Sequence, residues 1–488
     1  MERKYYSLHN HTDASNARLI DSINKVEDLI QKAFDLGLSG IAITDHETVK
    51  AHVKASNFMK KKSNDENWKD FKLIYGNEIY LCRNGLNSEN YDGKKDRFYH
   101  FILLAVDEIG HEQIREISSR AYEHSFSRNK MLRVPTYYTD LEEVIGENKG
   151  HIIASSACIG GFLGNKLLSA SANEKYQDFF LEEIEKLKTW IGYIQSIFGK
   201  ENFYLELQPS DTDEQVYVND WLVGFSRDLN VPAIITTDSH YLSKEDREIH
   251  KAYLNSKDGE REVDSFYATA YLMDENEIHE YMDKHFEPEY VQELLDNTKK
   301  IGERIQTFYL EKPFKLPYLP SEADKILAKN RNFNRCPREK RPEIWDNFIN
   351  SEEDADKVLI HRILNKCNSN PEEFWSEESI QQIETELDTV WQASKKQNMV
   401  WSKYFLQVAD YIDIAWNEGD SLVGPGRGSG VGFYLNYLLD VTQVNPLREE
   451  VKTYYWRYLN PERVSILDTD TDIQSNRRNK VIKALQDR

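Results

Sequence analysis

Short apolar runs alternate with amphipathic helical stretches through residues 1–270, and this alternation limits the fold more than any other feature. The runs are GLSGIAITDH, FKLIYGNEIYL, YHFILLAV, GHIIASSACI, NFYLELQ and VPAIITTDSH, with helical stretches such as VEDLIQKAFDLG and DFFLEEIEKLKTWIGYIQSIFG between them. Gly37 closes one helix, and Ile41 to Thr44 form a short buried strand. This order predicts an α/β fold with a largely parallel sheet, one that can close into a barrel. Pro313, Pro317 and Pro320 in YLEKPFKLPYLP mark an extended connector. From there to Asn398 the chain is polar, charged and mostly helical. YFLQVADYIDIAWNEG then predicts a buried helix ending at Gly419, followed by a glycine-rich turn, another apolar helix and a strand–helix pair. Three segments result: 1–270, 271–400 and 401–488.

With 488 residues, 40% of them apolar, the chain can bury several cores. No run approaches the ~20 apolar residues a membrane helix needs. The opening MERKYYSLHNH lacks the apolar stretch of a signal peptide. Four scattered cysteines without a CxxC pair argue against a disulfide framework and for a reducing cytoplasm. The net charge of −21 counts against a free-standing DNA-binding module, because phosphate repels an acidic surface. It is compatible with an enzyme whose carboxylates hold metal ions.

The strand ends collect metal-ligand side chains. His9 and His11 are two apart, so both project to one face of a strand. Asp45 and His46 close ITDH; Glu78 lies in YGNEIY; His100 opens HFILLA; Cys158 lies in ASSACIGG; Asp238 and His240 form TDSH. Loops that follow parallel strands converge at the strand ends, which is where α/β sites form. Histidine, carboxylate and a lone cysteine suit zinc, manganese or iron rather than calcium. Any one of these residues alone is more simply a hydrogen-bonded side chain, and Cys158 a core residue; the repeated HxH and DxH pairs are not.

HNHTDAS, ITDH, GNE, H-FILLA and TDSH resemble the motifs of the PHP (polymerase and histidinol phosphatase) family across residues 1–270. The resemblance implies a distorted α/β barrel holding two or three ions, zinc or manganese. It implies His9, His11, His46, Glu78, His100, Cys158, Asp238 and His240 as ligands, with Asp21 as the further acidic one. This set is complete, which leaves phosphoesterase or 3′–5′ exonuclease chemistry open.

Residues 423–430 read VGPGRGSG. Its glycines let backbone approach a ligand, and N–H groups in such a loop can cradle phosphate. Arg427 adds a fixed cation, and Ser429 precedes an apolar helix whose N-terminus favours an anion. Glycine-rich turns that only redirect the chain are common, so this loop needs its sequel. In ILDTDTDI, Asp468, Asp470 and Asp472 alternate along an expected strand, facing one side about 7 Å apart. Carboxylates so aligned repel unless cations lie between them; the bland alternative is an exposed acidic edge strand.

GPGRGS followed by NPERVSILDTDTD resembles the palm of the DNA polymerase III alpha subunit family, with Leu467 where proline is common. The resemblance implies a helical and mixed α+β partial palm of nucleotidyltransferase type, with residues 271–400 as connector and palm-associated helices. It implies Asp468 and Asp470 as the catalytic pair holding Mg²⁺, and Arg427, Gly428 and Ser429 beside the incoming deoxynucleoside triphosphate. Template–primer DNA would be the other substrate. The family's third carboxylate lies further downstream, so the expected activity needs a C-terminal polymerase part or other replisome subunits. A split half, a truncation and an incomplete gene all fit. Two other readings are a stand-alone PHP phosphoesterase, which leaves GPGRGS and DTDTD unexplained, and a non-catalytic scaffold.

Overall fold

The computed structural model describes residues 4–488 except 18–19, 129–130, 147, 172–176, 257–265, 312–314, 334–335, 337–339, 449–452 and 463–466. The chain divides into two compact units, Met1–Lys312 and Pro313–Arg488.

Among its described residues the first unit has ten strands: β1 Tyr6–Ser7, β2 Gly40–Ile43, β3 Lys72–Cys82, β4 Tyr99–Ala105, β5 Phe126–Arg128, β6 Met131–Arg133, β7 Thr136–Tyr137, β8 Ile152–Ser155, β9 Phe203–Leu207 and β10 Ala233–Ile235. Seven lie in the order β1-β2-β3-β4-β8-β9-β10, β7 pairs with β3, and β5 and β6 form a separate hairpin. The expected parallel pairing holds for β1/β2, β2/β3, β8/β9 and β9/β10. Within that larger sheet, among the described residues, only β4 runs against its neighbours, β3 and β8.

Side chains alternate strictly across this sheet, as the period of two demands. Ile41, Ile43, Leu73, Phe101, Leu103, Leu205 and Leu207 pack outward under the covering helices. Ala42, Ile74, Ile102, Leu104, Ile153, Tyr204 and Ile234 face inward with Ile301 and Ile305. The sheet curls until its edges meet beyond β1 and β10. There Asn10 bridges Ser239, and His11 N donates to Ser239 O at 2.9 Å. Continuing the inward alternation past the apolar plug carries Glu78, Glu206 and Asp238 into the same barrel end.

The second unit is helical. Its main helices are Asp354–Ser369, Glu377–Gln397 and Trp401–Asn417, around a core holding Trp345, Trp401, Phe405, Phe433 and Leu435. The helix expected to end at Gly419 ends at Asn417. The strand expected across Asp468–Asp472 is not formed. The segment has no regular secondary structure; one antiparallel bridge, Val423 to Ile473, adjoins it, and Gly424 N donates to Asp472 O at 2.8 Å. Alternating residues fold as a strand only beside a partner ladder, and the described residues offer just this bridge. Among them, no helix is long and apolar enough to cross a membrane.

Candidate metal centre and candidate nucleotidyl-transfer site

All nine expected ligands gather at the closed end of the barrel. His9 Nε2 and His11 Nε2 lie 3.1 Å apart, and Asp238 Oδ1 lies 3.2 and 3.1 Å from them. Glu78 Oε2 is 3.1 Å from His11 Nε2 and 2.7 Å from His46 Nδ1, while its Oε1 is 2.7 Å from His100 Nδ1. Cys158 Sγ stands 3.4 Å from that same His100 nitrogen. Asp21 Oδ2 sits between His46 Nε2 at 2.8 Å and His240 Nε2 at 3.1 Å. The donors form three groups that share residues: His9–His11–Asp238, His46–Glu78–His100 and His11–His46–His240.

Two features show that cations fit this cluster. Bonds of 2.0–2.1 Å at tetrahedral angles hold donor atoms about 3.3 Å apart, close to the spacing around His9, His11, Asp238 and Glu78. Moreover, both Glu78 oxygens, Asp238 Oδ1 and His46 Nδ1 are buried yet make no properly oriented hydrogen bond. Buried polar atoms rarely go unsatisfied without a missing partner.

The electrostatics agree. Burial should strip His9, His11 and His100 of protons, yet Asp238 and Glu78 raise all three, His11 to about 10, and Glu206 adds to the effect on His9. Burial should likewise favour protonated Asp21, Glu78 and Asp238, yet the facing imidazoles hold each below the usual carboxylate range. The cluster therefore draws positive charge, which protons or a metal ion can supply. Burial pushes the Cys158 thiol well up. Solvent reaches the site on one side, where His100 is 25% exposed and His46 11%; His9, His11 and Glu78 are fully buried.

A second ring of residues holds the ligands, and most of it was not anticipated. Glu206 Oε1 lies 2.6 Å from His9 Nδ1 and accepts from Thr236 Oγ1 at 2.6 Å, and its other oxygen accepts from Ser155. Ser15 Oγ reaches His11 Nδ1 at 3.0 Å and donates to Asp45 at 2.7 Å. Tyr267 OH donates to Asp21 Oδ1 at 2.6 Å. Such partners fix imidazole orientation and basicity. The one sequence signal for Glu206 was an acid inside the otherwise apolar FYLEL. Left-handed backbone also concentrates here: Glu47 (φ 56°) follows His46, Ala157 (φ 59°) precedes Cys158, and Asp238 itself has φ 46°. Each costs about 1–3 kcal/mol and persists only where surrounding structure enforces it.

In the second unit the glycine-rich loop folds onto the aspartate segment. Arg427 Nη2 is 3.1 Å from Asp470 Oδ1, and its Nε 3.6 Å from Asp472 Oδ1. Gly426 (φ 116°) and Gly428 (φ 69°) need left-handed backbone, and a Cβ on Gly428 would lie 3.2 Å from Asp470 Oδ2. Thr469, between the two candidate catalytic residues, points the other way, bonded to Tyr404 OH at 2.8 Å and Tyr458 OH at 2.6 Å. Asp468 is exposed. Ser429 lies in a 3₁₀ turn, Gly428–Gly432, not at the start of the apolar helix. That helix is Tyr434–Leu438, and buried Glu386 already accepts its first N–H groups, from Tyr434 and Leu435, at 2.8 Å each. The expected anion-binding helix terminus is thus occupied by the chain's own carboxylate.

Residues 7–210 match the PHP domain family, and residues 357–488 match the bacterial DNA polymerase III alpha NTPase domain. A DNA-directed DNA polymerase of Bacillus phage SPbeta is 38% identical over 98% of this chain and 37% of its own length. A DNA polymerase III subunit alpha of Aquifex aeolicus is 28% identical over 100% of this chain and 38% of its own. The chain thus spans between a third and two fifths of these curated relatives. Among solved structures, an amidohydrolase from Chromobacterium violaceum aligns over 48% of this chain and 87% of its own, with 12% identity and a TM-score of 0.27.

Proposed function

The chain joins a PHP domain to a DNA polymerase III alpha NTPase domain and is homologous to DNA polymerase III alpha subunits, and from this we propose that it is the part of a replicative DNA polymerase that carries its nucleotide-handling loop and two of its catalytic carboxylates. The observation that carries this reading is the fold of the GPGRGS loop onto Asp470 through Arg427 and Gly428. Asp468 and Asp470 would hold Mg²⁺, which polarises a phosphoryl oxygen and activates the attacking one. Arg427, released from Asp470, contributes a planar cation for the triphosphate of an incoming deoxynucleotide. Gly428 and Ser429 bring backbone within reach of it. Tyr404 and Tyr458 hold Thr469 on the opposite side, which keeps the two carboxylates in place.

Completion by further polymerase sequence supplies the third carboxylate and the grip on template–primer, with other replisome subunits as partners. The four cysteines are buried and none lies in a CxxC pair, in keeping with a reducing cytoplasm. Primer extension tests the reading, with this chain alone, with a longer polypeptide carrying the remaining polymerase parts, and with both. Extension is expected only when those parts are present, and it disappears on changing Asp468 and Asp470 to Asn. Robust extension by the 488-residue chain alone, or extension that survives the double substitution, overturns it.

The complete ligand cluster of the first unit favours a second activity on the same chain. Two or three zinc or manganese ions held by His9, His11, Asp21, His46, Glu78, His100, Cys158, Asp238 and His240 suit hydrolysis of phosphate esters, including nucleotides at a single-stranded 3′ end. Release of nucleotides from a 3′-labelled strand, lost in Asp238→Asn/His240→Ala, tests it. Persistence in that variant marks a contaminating nuclease.

A further inference from the structure

Tyr454 and Trp456 are the two most exposed aromatic side chains among the described residues, at 54% and 51%. Their rings stack on one another, with centroids 5.4 Å apart and planes 29° from parallel. The 3₁₀ turn Tyr455–Arg457 produces this arrangement. Residues three apart eclipse in such a turn, so Tyr455 and Tyr458 go inward to the core while Tyr454 and Trp456 stay in water. The turn touches both halves of the candidate nucleotidyl-transfer site. At one end Thr453 packs against Gly432, where an added Cβ would lie 3.0 Å from Thr453 Cβ. At the other, Tyr458 OH holds Thr469 between Asp468 and Asp470.

We propose that Tyr454 and Trp456 form a stacking platform for the bases of single-stranded DNA beside the nucleotidyl-transfer site. Pre-stacked rings present a flat, rigid outer face, which suits a planar heterocycle. The exposed residues flanking them, Thr453 and Arg457, are polar or cationic and not the aliphatic side chains that complete an apolar protein interface. Every base has a π-face, so such a platform binds without reading sequence, as a surface serving any template must. The choice of ligand rests on the polymerase reading of this unit. Binding itself needs neither metal nor the aspartates.

Fluorescence anisotropy of the full chain with a labelled oligothymidylate of about 12 nucleotides tests this, alongside an abasic strand of equal length. Tyr454→Ala and Trp456→Ala are each expected to weaken oligothymidylate binding about tenfold. Trp456→Phe should retain it, and the abasic strand should bind wild type about as weakly as the alanine variants bind oligothymidylate. The salt dependence should stay the same, since no phosphate contact is removed. Both residues are more than half exposed, and unchanged circular dichroism and melting confirm that the variants fold. Equal binding by wild type and the double alanine variant overturns the proposal. So does an equal loss for the abasic strand, or self-association by sedimentation that the substitutions abolish while DNA affinity stays constant. Asp468→Asn/Asp470→Asn keeps the binding by this chain and loses extension by the longer polypeptide that carries the remaining polymerase parts, so failure of the platform and failure of the polymerase reading give different results.

Discussion

Replacing Glu206 by Gln keeps the side chain's shape and removes its charge from beside His9 Nδ1. Glu206 is 1% exposed and touches no other expected ligand as closely, its Oε1 being 2.6 Å from that nitrogen. As a neutral acceptor it leaves His9 less basic and less firmly oriented, and loss of such a partner typically weakens metal binding by about 10–100-fold. Each tenfold is about 1.4 kcal/mol. At free metal well above both dissociation constants the whole difference appears as stability, about 1.4–2.8 kcal/mol. For a unit of this size that is a fall in Tm of a few degrees. The assay is a pair of melting curves, wild type and variant, with zinc or manganese and again after chelation. The shift should be confined to the metal-loaded pair, because without metal the variant removes one charge from a crowd of buried carboxylates. An equal shift in both states would show that Glu206 only supports the fold. An unchanged metal dissociation constant would refute the reasoning outright.

Preparation without chelator should yield two or three transition-metal ions per chain by elemental analysis, and His9→Ala/His11→Ala should lower both metal content and Tm; metal-free wild type would sink the metal reading. Arg427→Ala should tighten Mn²⁺ binding at Asp468 and Asp470 several-fold in low salt, measured by electron paramagnetic resonance, because a cation leaves Asp470. Weaker binding would mean that Arg427 organises that site instead. Burial raises the Glu386 carboxyl to about 7, above its ordinary 4.5. Between those values the folded state holds a proton that the unfolded state has released, so this stabilisation is full below pH 4.5 and is lost as pH rises through 7. Its size is about 3 kcal/mol at most, and calorimetry of wild type against Glu386→Gln should show the second unit's pH slope flattening in the variant. Identical slopes would place the titration elsewhere.

Pairs of ligands two residues apart on apolar runs were legible, because strand geometry alone puts His9 with His11 and Asp238 with His240. Asp21 was reached only by resemblance: it precedes no strand, and its place between His46 and His240 depends on a loop that local spacing does not determine. Glu206 hid inside a strand because inward and outward faces cannot be told apart until the sheet curls. Strand propensity at Asp468–Asp472 was read from alternation, which does not reveal whether a partner ladder exists. The helix terminus after Ser429 failed for the opposite reason, since a residue 48 positions upstream, Glu386, had already filled it.

The meeting of the barrel edges fixes the order of events during synthesis. Asn10 and Ser239 are 229 residues apart, which at ~5–20 residues per second is roughly 10–45 s of translation. Through that interval His9 and His11 lack Asp238 and His240, the residues that complete both of their donor groups. His46, Glu78 and His100, by contrast, are all made within the first hundred residues, so their group needs nothing from the far edge of the sheet. The barrel therefore offers one donor group early in synthesis and two that exist only once its edges have met.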